Sequence, residues 1–151
     1  MPDAPNGPAT AFRFFTEVGI IHQLISTKLE SMLPGRMSAT QFGILGHLSR
    51  RPDGQTPLQL AQAFQVPKTS MTHMLMGLEK AGLIRITPNP LDKRSKIAQT
   101  TDDAIPFLQE KNAALGAALA PAFADLGTER FASALPHLEA VRIALDTARD
   151  G

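Results

Sequence analysis

Apolar side chains recur at helical spacing through the first third of the chain. The run from Phe14 to Met32 follows a period near 3.6 residues and stops at Pro34-Gly35, which predicts a long amphipathic first helix. A second run, from Phe42 to Leu48, ends before Pro52-Asp53-Gly54, a strong turn signal. Two separate helices are therefore expected before residue 52, and Ser38 or Thr40 can cap the second.

The next pattern predicts two helices joined by a very short turn. Pro57 opens a helix that extends to Phe64, and the connection Gln65-Val66 leaves no room for a loop before Pro67 begins a fourth helix closed by Gly82. The apolar positions of that fourth helix have spacing i, i+3, i+4 and i+7: Met71, Met74, Leu75 and Leu78. This arrangement is a helix-turn-helix.

A change of period after Gly82 predicts strands. Residues 83–87 are strand-prone, residues 88–90 read as a loop, and residues 95–100 return as a second strand, so a β-hairpin follows the helix-turn-helix. A hairpin in this position makes a winged helix. The predicted fold class is therefore mainly α with a small β-hairpin wing: a winged helix-turn-helix with N- and C-terminal dimerisation helices.

The remainder of the chain, from residue 101, is rich in Ala and Leu and is predicted to form two helices that break at Leu126-Gly127-Thr128. Long helices at both ends carry more apolar surface than one small core needs, which favours helix-to-helix dimerisation. We therefore expect a flexible tail at 1–10, a helical dimerisation region at 11–33 and 101–151, and a DNA-binding lobe at 34–100. The residues expected at the dimer interface are Phe14, Val18, Phe131, Leu135, Leu138, Val141 and Leu145.

Charge is unevenly distributed along the chain. Residues 34–100 carry nine Lys or Arg against three Asp or Glu, a net of +6, whereas both ends are net acidic. A basic centre indicates a polyanionic partner. No cysteine occurs, which excludes disulfides and sulfur-ligated zinc. No stretch approaches the ~20 apolar residues that span a bilayer, and no secretory signal is visible, so a cytoplasmic protein without a membrane partner is expected.

Candidate DNA contacts lie on the fourth helix and in the wing. With the apolar stripe of the helix turned to the core, its opposite face presents short polar side chains that suit the base edges of a major groove. Basic residues near the tip of the wing suit the electronegative minor groove. The expected DNA-binding residues are Lys68, Thr69, Ser70, Thr72, His73, Lys93, Arg94 and Lys96.

Three segments together resemble the MarR family of bacterial transcriptional regulators: residues 57–72, residues 78–84 (LEKAGLI), and residues 89–95 (NPLDKRS). The resemblance implies a homodimer that binds inverted-repeat operators, and a wing in which Asp92 orients Arg94 through a carboxylate–guanidinium pair. Three positions depart from the family pattern. Gln65 stands where glycine is usual, Pro67 replaces a capping serine, and Thr100-Thr101 replaces a leucine–threonine pair.

The predicted function is thus a homodimeric, sequence-specific regulator of transcription that binds double-stranded DNA and acts as a ligand-responsive repressor. The alternative is a winged-helix protein-interaction module without specific DNA binding. An enzyme is not expected, because the four histidines lack metal-ligand spacing and no glycine-rich phosphate loop or serine elbow occurs; no metal or cofactor is implied. A pocket for a small-molecule effector is expected near His22, Ile25 and His47.

Overall fold

The computed structural model describes residues 7–151, which form six helices and a two-stranded hairpin in the predicted order. The N-terminal helices are α1 (Pro8–Glu30), α2 (Ala39–Ser49), α3 (Pro57–Phe64) and α4 (Lys68–Lys80). They are followed by β1 (Ile84–Pro88), β2 (Lys96–Thr100), α5 (Ala104–Ala124) and α6 (Thr128–Asp150). The winged helix-turn-helix expected from the hydrophobic pattern is confirmed.

Side-chain caps define the starts of α2 and α3. Ser38, and not Thr40, caps α2: its hydroxyl accepts from the backbone N–H of Gln41, whose side chain accepts from the N–H of Ser38. Thr56 and Gln59 form the same reciprocal pair at α3. Each box satisfies two donors that would otherwise lack partners at a helix start, so both boundaries are set locally.

The first helix begins earlier than the sequence suggested. Pro8 occupies the first turn of α1, so residues 8–10 are helical and the expectation of a flexible tail over them was wrong. Proline is well suited to a helix start, because its fixed φ fits the helix and its missing N–H would have had no partner there. Residues 1–6, the rest of the expected tail, lie outside the described residues.

The wing is an antiparallel pair in which Ile84 lies opposite Thr100 and Pro88 opposite Lys96. Gln55 adds a single bridge on the other side of β2, where its backbone exchanges two hydrogen bonds with Ala98 at 2.8 and 3.1 Å. The connection between α2 and α3 thus pairs with β2 at one residue, which ties the base of the wing to the helices.

One continuous core of buried apolar side chains lies in the first of two compact units, which extends to Leu115. The core draws on every element from α1 to the start of α5, and its fully buried large members are Ile44, Leu45, Leu48, Leu60, Met71, Leu75 and Leu78. Ala104 and Leu108 also belong to it. The unit therefore continues past residue 100, the predicted end of the lobe, because the first two turns of α5 pack into the same core.

The second unit, residues 116–151, contains the end of α5 and all of α6. Phe123 and Phe131 meet edge to face across the turn between these helices, with ring centroids 5.0 Å apart. No hydrophobic side chain of this unit is buried. Two helices with this much exposed apolar surface do not bury a core by themselves.

No helix among residues 7–151 is long and apolar enough to cross a membrane. Within the same range, no group of three or more His, Asp or Glu side chains has the arrangement of a metal site.

Candidate nucleic-acid interface

The turn between α3 and α4 contains the one non-glycine residue of the described chain with positive φ. Gln65 has φ 54° and ψ 45°, the left-handed conformation that glycine adopts more readily. This agrees with the position of Gln65 in the sequence, where the MarR family usually has glycine. The N–H of Val66 then donates to the carbonyl of Ala61 at 3.0 Å and closes α3. A single left-handed residue reverses the chain, so α4 can begin at Lys68.

The start of α4 lacks a side-chain cap. Pro67 is its N-cap residue and makes no capping hydrogen bond, as expected when proline replaces serine. The first N–H groups of the helix consequently have no side-chain partner and are available to an anion such as a phosphate.

The exposed face of α4 carries the side chains expected to contact DNA. Met71, Leu75 and Leu78 are buried in the core, whereas Met74 is only half-buried. Opposite them, five residues are exposed, each of which belongs to the predicted DNA-binding set: Lys68, Thr69, Ser70, Thr72 and His73. None of the five forms an ion pair with another described residue.

The hydroxyl of Thr72 already has a partner within the helix. Its Oγ1 donates to the carbonyl of Lys68 at 2.9 Å. The proton of the hydroxyl is therefore committed, and what Thr72 offers outwards is an acceptor oxygen and a methyl group. These two groups can meet a base amino group or a thymine methyl.

In the wing, the structure brings Asp92 and Arg94 together. Asp92 Oδ1 accepts from the backbone N–H of Arg94 at 3.0 Å and from its Nε at 3.3 Å. The Arg94 side chain is 93% exposed, and such a surface pair adds little to folding stability. Lys93 and Lys96 are also exposed and make no ion pair with described residues. The wing thus carries three cations, one of them partly oriented by a carboxylate.

Two polar side chains that no sequence motif singled out as functional hold α4 in place. Gln41 Nε2 donates to the carbonyl of Met74 at 3.1 Å, so the residue that completes the α2 capping box also binds the middle of α4. Glu79 Oε2 accepts from the N–H of Ile86 at 3.0 Å and joins the end of α4 to the outer edge of β1. Gln41 could be recognised from the sequence as the capping-box partner of Ser38, because it lies three residues after it. Its contact with Met74 and the contact of Glu79 with Ile86 have no local sequence signal.

His47 contacts the base of the wing. Its Nε2 lies 2.7 Å from Gln55 Oε1, and its ring meets the ring of Phe64 edge to face with centroids 5.4 Å apart. His22, on α1, is exposed, and Ile25 is half-buried. An open cleft of about 1010 Å³ lies instead between the α1–α2 connection and α4, and its lining includes Arg36, Met37, Gln41, His73, Met76 and Lys80, but none of the three residues expected at an effector pocket.

Residues expected at a dimer interface remain accessible in the single chain. Phe14 and Val141 are half-buried, and Val18 is 38% exposed. On α6, the others are between 40% and 55% exposed: Phe131, Leu135, Leu138 and Leu145.

The chain has relatives among known proteins. Residues 37–95 match the model of the MarR family. Over 75 residues the chain is 35% identical to the HTH-type transcriptional regulator PecS of Dickeya dadantii (strain 3937), an alignment that covers 48% of this chain and 45% of PecS. The chain thus matches less than half of the length of that relative.

Solved structures share the fold over most of the chain. A transcriptional regulator of the MarR family from Rhodococcus sp. RHA1 superposes with a TM-score of 0.73 at 14% identity, covering 90% of this chain and 95% of that one. A mutant of MarR from E. coli, complexed with operator DNA, gives 0.69 at 22% identity, covering 87% and 95%. The named relatives are transcriptional regulators and not enzymes, as expected. Residues 37–95 and their motifs are thus similar to the MarR family, and the solved structures share the winged helix-turn-helix fold of this chain.

Proposed function

We propose that the chain is a transcriptional regulator of the MarR family, and that it acts as a homodimer that binds an inverted-repeat operator in double-stranded DNA. The observation that carries the proposal is the concentration of exposed polar and cationic side chains on α4 and in the wing, within a segment of net charge +6. Helix α4 would enter the major groove, where Thr69, Thr72 and His73 meet base edges. The start of the helix, with Lys68 and Ser70, would meet phosphate.

The wing would contact the adjacent minor groove. Arginine is favoured where the groove is narrow and its potential most negative. Asp92 restricts the exposed Arg94 side chain through the contact at Nε, so less conformational freedom is lost when the guanidinium enters the groove. Lys93 and Lys96 would bind the flanking phosphates. The MarR relative from E. coli, whose structure contains operator DNA, supports this mode of binding.

Dimerisation would bury the apolar surface that the single chain leaves exposed at its ends. Recognition of an inverted-repeat DNA sequence also requires two-fold symmetry, since two recognition helices must lie about 34–36 Å apart to enter successive major grooves on one face of the duplex. The acidic end regions are unsuited to DNA, so we assign the interface to α1, α5 and α6.

The family resemblance further supports a repressor that responds to a small molecule. The effector pocket would involve His22, Ile25 and His47. His47 is the most informative of the three, because its contact with Gln55 connects α2 to the base of the wing. A ligand that displaced this contact would act on the wing directly.

The test is equilibrium binding of the dimer to duplexes selected from a random-sequence library. We expect Arg94→Ala to weaken binding to the selected operator by about 1–3 kcal/mol and to leave the melting temperature unchanged. Arg50→Ala, which removes an exposed arginine at the end of α2, outside α4, the wing and the dimerisation helices, is the matched control. Weak binding that is indifferent to sequence would favour the protein-interaction module instead.

A further inference from the structure

The tip of the wing carries an apolar residue among its cations. Leu91 is 94% exposed, more than any other large hydrophobic side chain of residues 7–151; the next, Phe12, is 78% exposed. Leu91 lies three residues before Arg94 and two before Lys93. Single exposed apolar side chains are common on protein surfaces, so the exposure of Leu91 acquires meaning only from the way the wing presents it.

The backbone around Leu91 is held by a closed set of hydrogen bonds. Asn89 Oδ1 accepts from the N–H of Leu91 at 3.0 Å, and the carbonyl of Asn89 accepts from the N–H of Asp92 at 3.3 Å. The ends of the tip are joined where the N–H of Asn89 donates to the carbonyl of Ser95 at 3.1 Å and Asn89 Nδ2 donates to Ser95 Oγ at 2.9 Å. Pro90 also fixes its own φ. The turn therefore projects Leu91 in a defined direction.

This rigidity has a consequence for binding. An apolar side chain on a loose loop can turn back onto the protein, but the turn at residues 89–95 prevents Leu91 from covering itself. Its surface stays in water until another molecule covers it, and removal of that surface from water is favourable. Folding gains nothing from Leu91, so any stabilisation that it provides must appear in a complex.

The surrounding charge indicates the partner. Lys93, Arg94 and Lys96 give the tip a positive potential, which attracts a polyanion and disfavours a basic or purely apolar surface. A minor groove combines negative phosphates with apolar walls, because deoxyribose rings line it and present C–H groups inwards. Leucine is among the apolar side chains that proteins insert into minor grooves.

We infer that Leu91 makes an apolar contact with the deoxyribose walls of the minor groove beside Arg94. The inference rests on the proposed DNA binding and adds to it a salt-independent component of wing affinity. The two side chains contribute different kinds of binding free energy. The electrostatic attraction of Arg94 to DNA is weakened by salt, whereas the burial of the apolar surface of Leu91 is not.

The experiment compares Leu91→Ala and Leu91→Met with the wild-type dimer on a selected operator duplex, with Kd measured over a series of salt concentrations. Leu91→Ala should weaken binding about 3- to 10-fold through lost burial. Leu91→Met should retain most of the affinity, since methionine is of similar size and apolar. Leu58→Ala, at a 52% exposed leucine of α3 that lies outside α4, the wing and the dimerisation helices, is the control and should bind as the wild type does.

The salt dependence separates this contact from an indirect effect. The slope of log K against log salt counts neutralised phosphates, so it should be the same for Leu91→Ala and the wild type, whereas Arg94→Ala should lower its magnitude by about 1 for each wing. Hydroxyl-radical footprinting should show that the sugars under the wing are more accessible in Leu91→Ala than in the wild type and in Leu91→Met.

Three results would overturn the inference. Unchanged affinity of Leu91→Ala, in a series where Arg94→Ala loses affinity, would show that the wing binds without the leucine. A reduced salt slope for Leu91→Ala would mean that the leucine acts by orienting the cations. If the wild type selects no duplex from the library, both the proposed function and the Leu91 contact are wrong. This outcome is recognised from the wild type alone, whereas the first two results come from the variants.

Discussion

The left-handed conformation of Gln65 provides a direct test of the turn that positions α4. A residue with a Cβ atom in this conformation costs about 1–2 kcal/mol, whereas glycine adopts it freely. Glycine, however, loses about 0.5–1 kcal/mol more backbone entropy on folding. Gln65 Nε2 also donates to the carbonyl of Gln62 at 2.7 Å, an exposed hydrogen bond that both Gln65→Gly and Gln65→Ala would remove.

Comparison of these two variants isolates the backbone, because each loses the same hydrogen bond. Glycine avoids the cost of a Cβ atom at positive φ but loses more backbone entropy on folding. The difference between these two free energies should leave Gln65→Gly more stable than Gln65→Ala by about 0.5–1 kcal/mol. Gln65→Ala should be less stable than the wild type by roughly the net value of one exposed hydrogen bond, at most about 1 kcal/mol.

The assay is urea unfolding followed by far-ultraviolet circular dichroism, since the chain has no Trp or Tyr to give a fluorescence signal. All three proteins must be compared at one protomer concentration, because association adds to apparent stability. A thermal scan should separate the two variants by about 1–4 °C. Equal stability of Gln65→Gly and Gln65→Ala would refute the argument and mean that the turn does not hold residue 65 at positive φ.

Three further outcomes follow from the structure. Gly54→Ala should destabilise the fold by about 2–4 kcal/mol, measured by the same unfolding assay, because φ is +77° and a Cβ atom would clash with the carbonyl oxygen of Ala98 in β2. Thr72→Ala and His73→Ala should reduce discrimination among operator sequences more than non-specific binding, which competition with unrelated duplexes measures; an equal loss on every sequence would make them backbone contacts. Leu138→Asp combined with Leu145→Asp should give monomers or unfolded chains in sedimentation, since charge in an apolar interface costs several kcal/mol, and an intact dimer would locate the interface elsewhere.

Local features of the chain were sufficient to predict the winged helix. The stop at Pro34-Gly35, the proline at the start of α3 and the change of period after Gly82 each act within a few residues, and the structure has element boundaries close to those positions. The first turn of α1 differs from the expected flexible tail at 1–10, because Pro8 begins the helix there and proline is favourable at a helix start.

Contacts between distant residues were beyond prediction. Gln41 and Met74 are 33 residues apart, and nothing near either one signals their hydrogen bond. The same limit applies to the extent of the core, because an apolar residue at helical spacing, such as Leu108, suits a core and a dimer interface equally well. Periodicity identifies which face of a helix is apolar, but only the folded chain decides what covers that face.

The contacts of α4 explain how the helix and the wing can act as one unit. Gln41 holds the middle of α4 by its backbone carbonyl, and a Cβ atom at Gly77 would lie only 2.6 Å from Gln41 Nε2, so the glycine makes room for this side chain. Glu79 holds the end of α4 to β1 through the N–H of Ile86. Each hydrogen bond contributes about 1 kcal/mol, which is small beside the burial of the core. Their effect is on direction. Core packing permits a range of small tilts, whereas these two hydrogen bonds fix α4 at its middle to α2 and at its end to β1. The proposed entry of α4 and the wing into adjacent grooves would require that constraint.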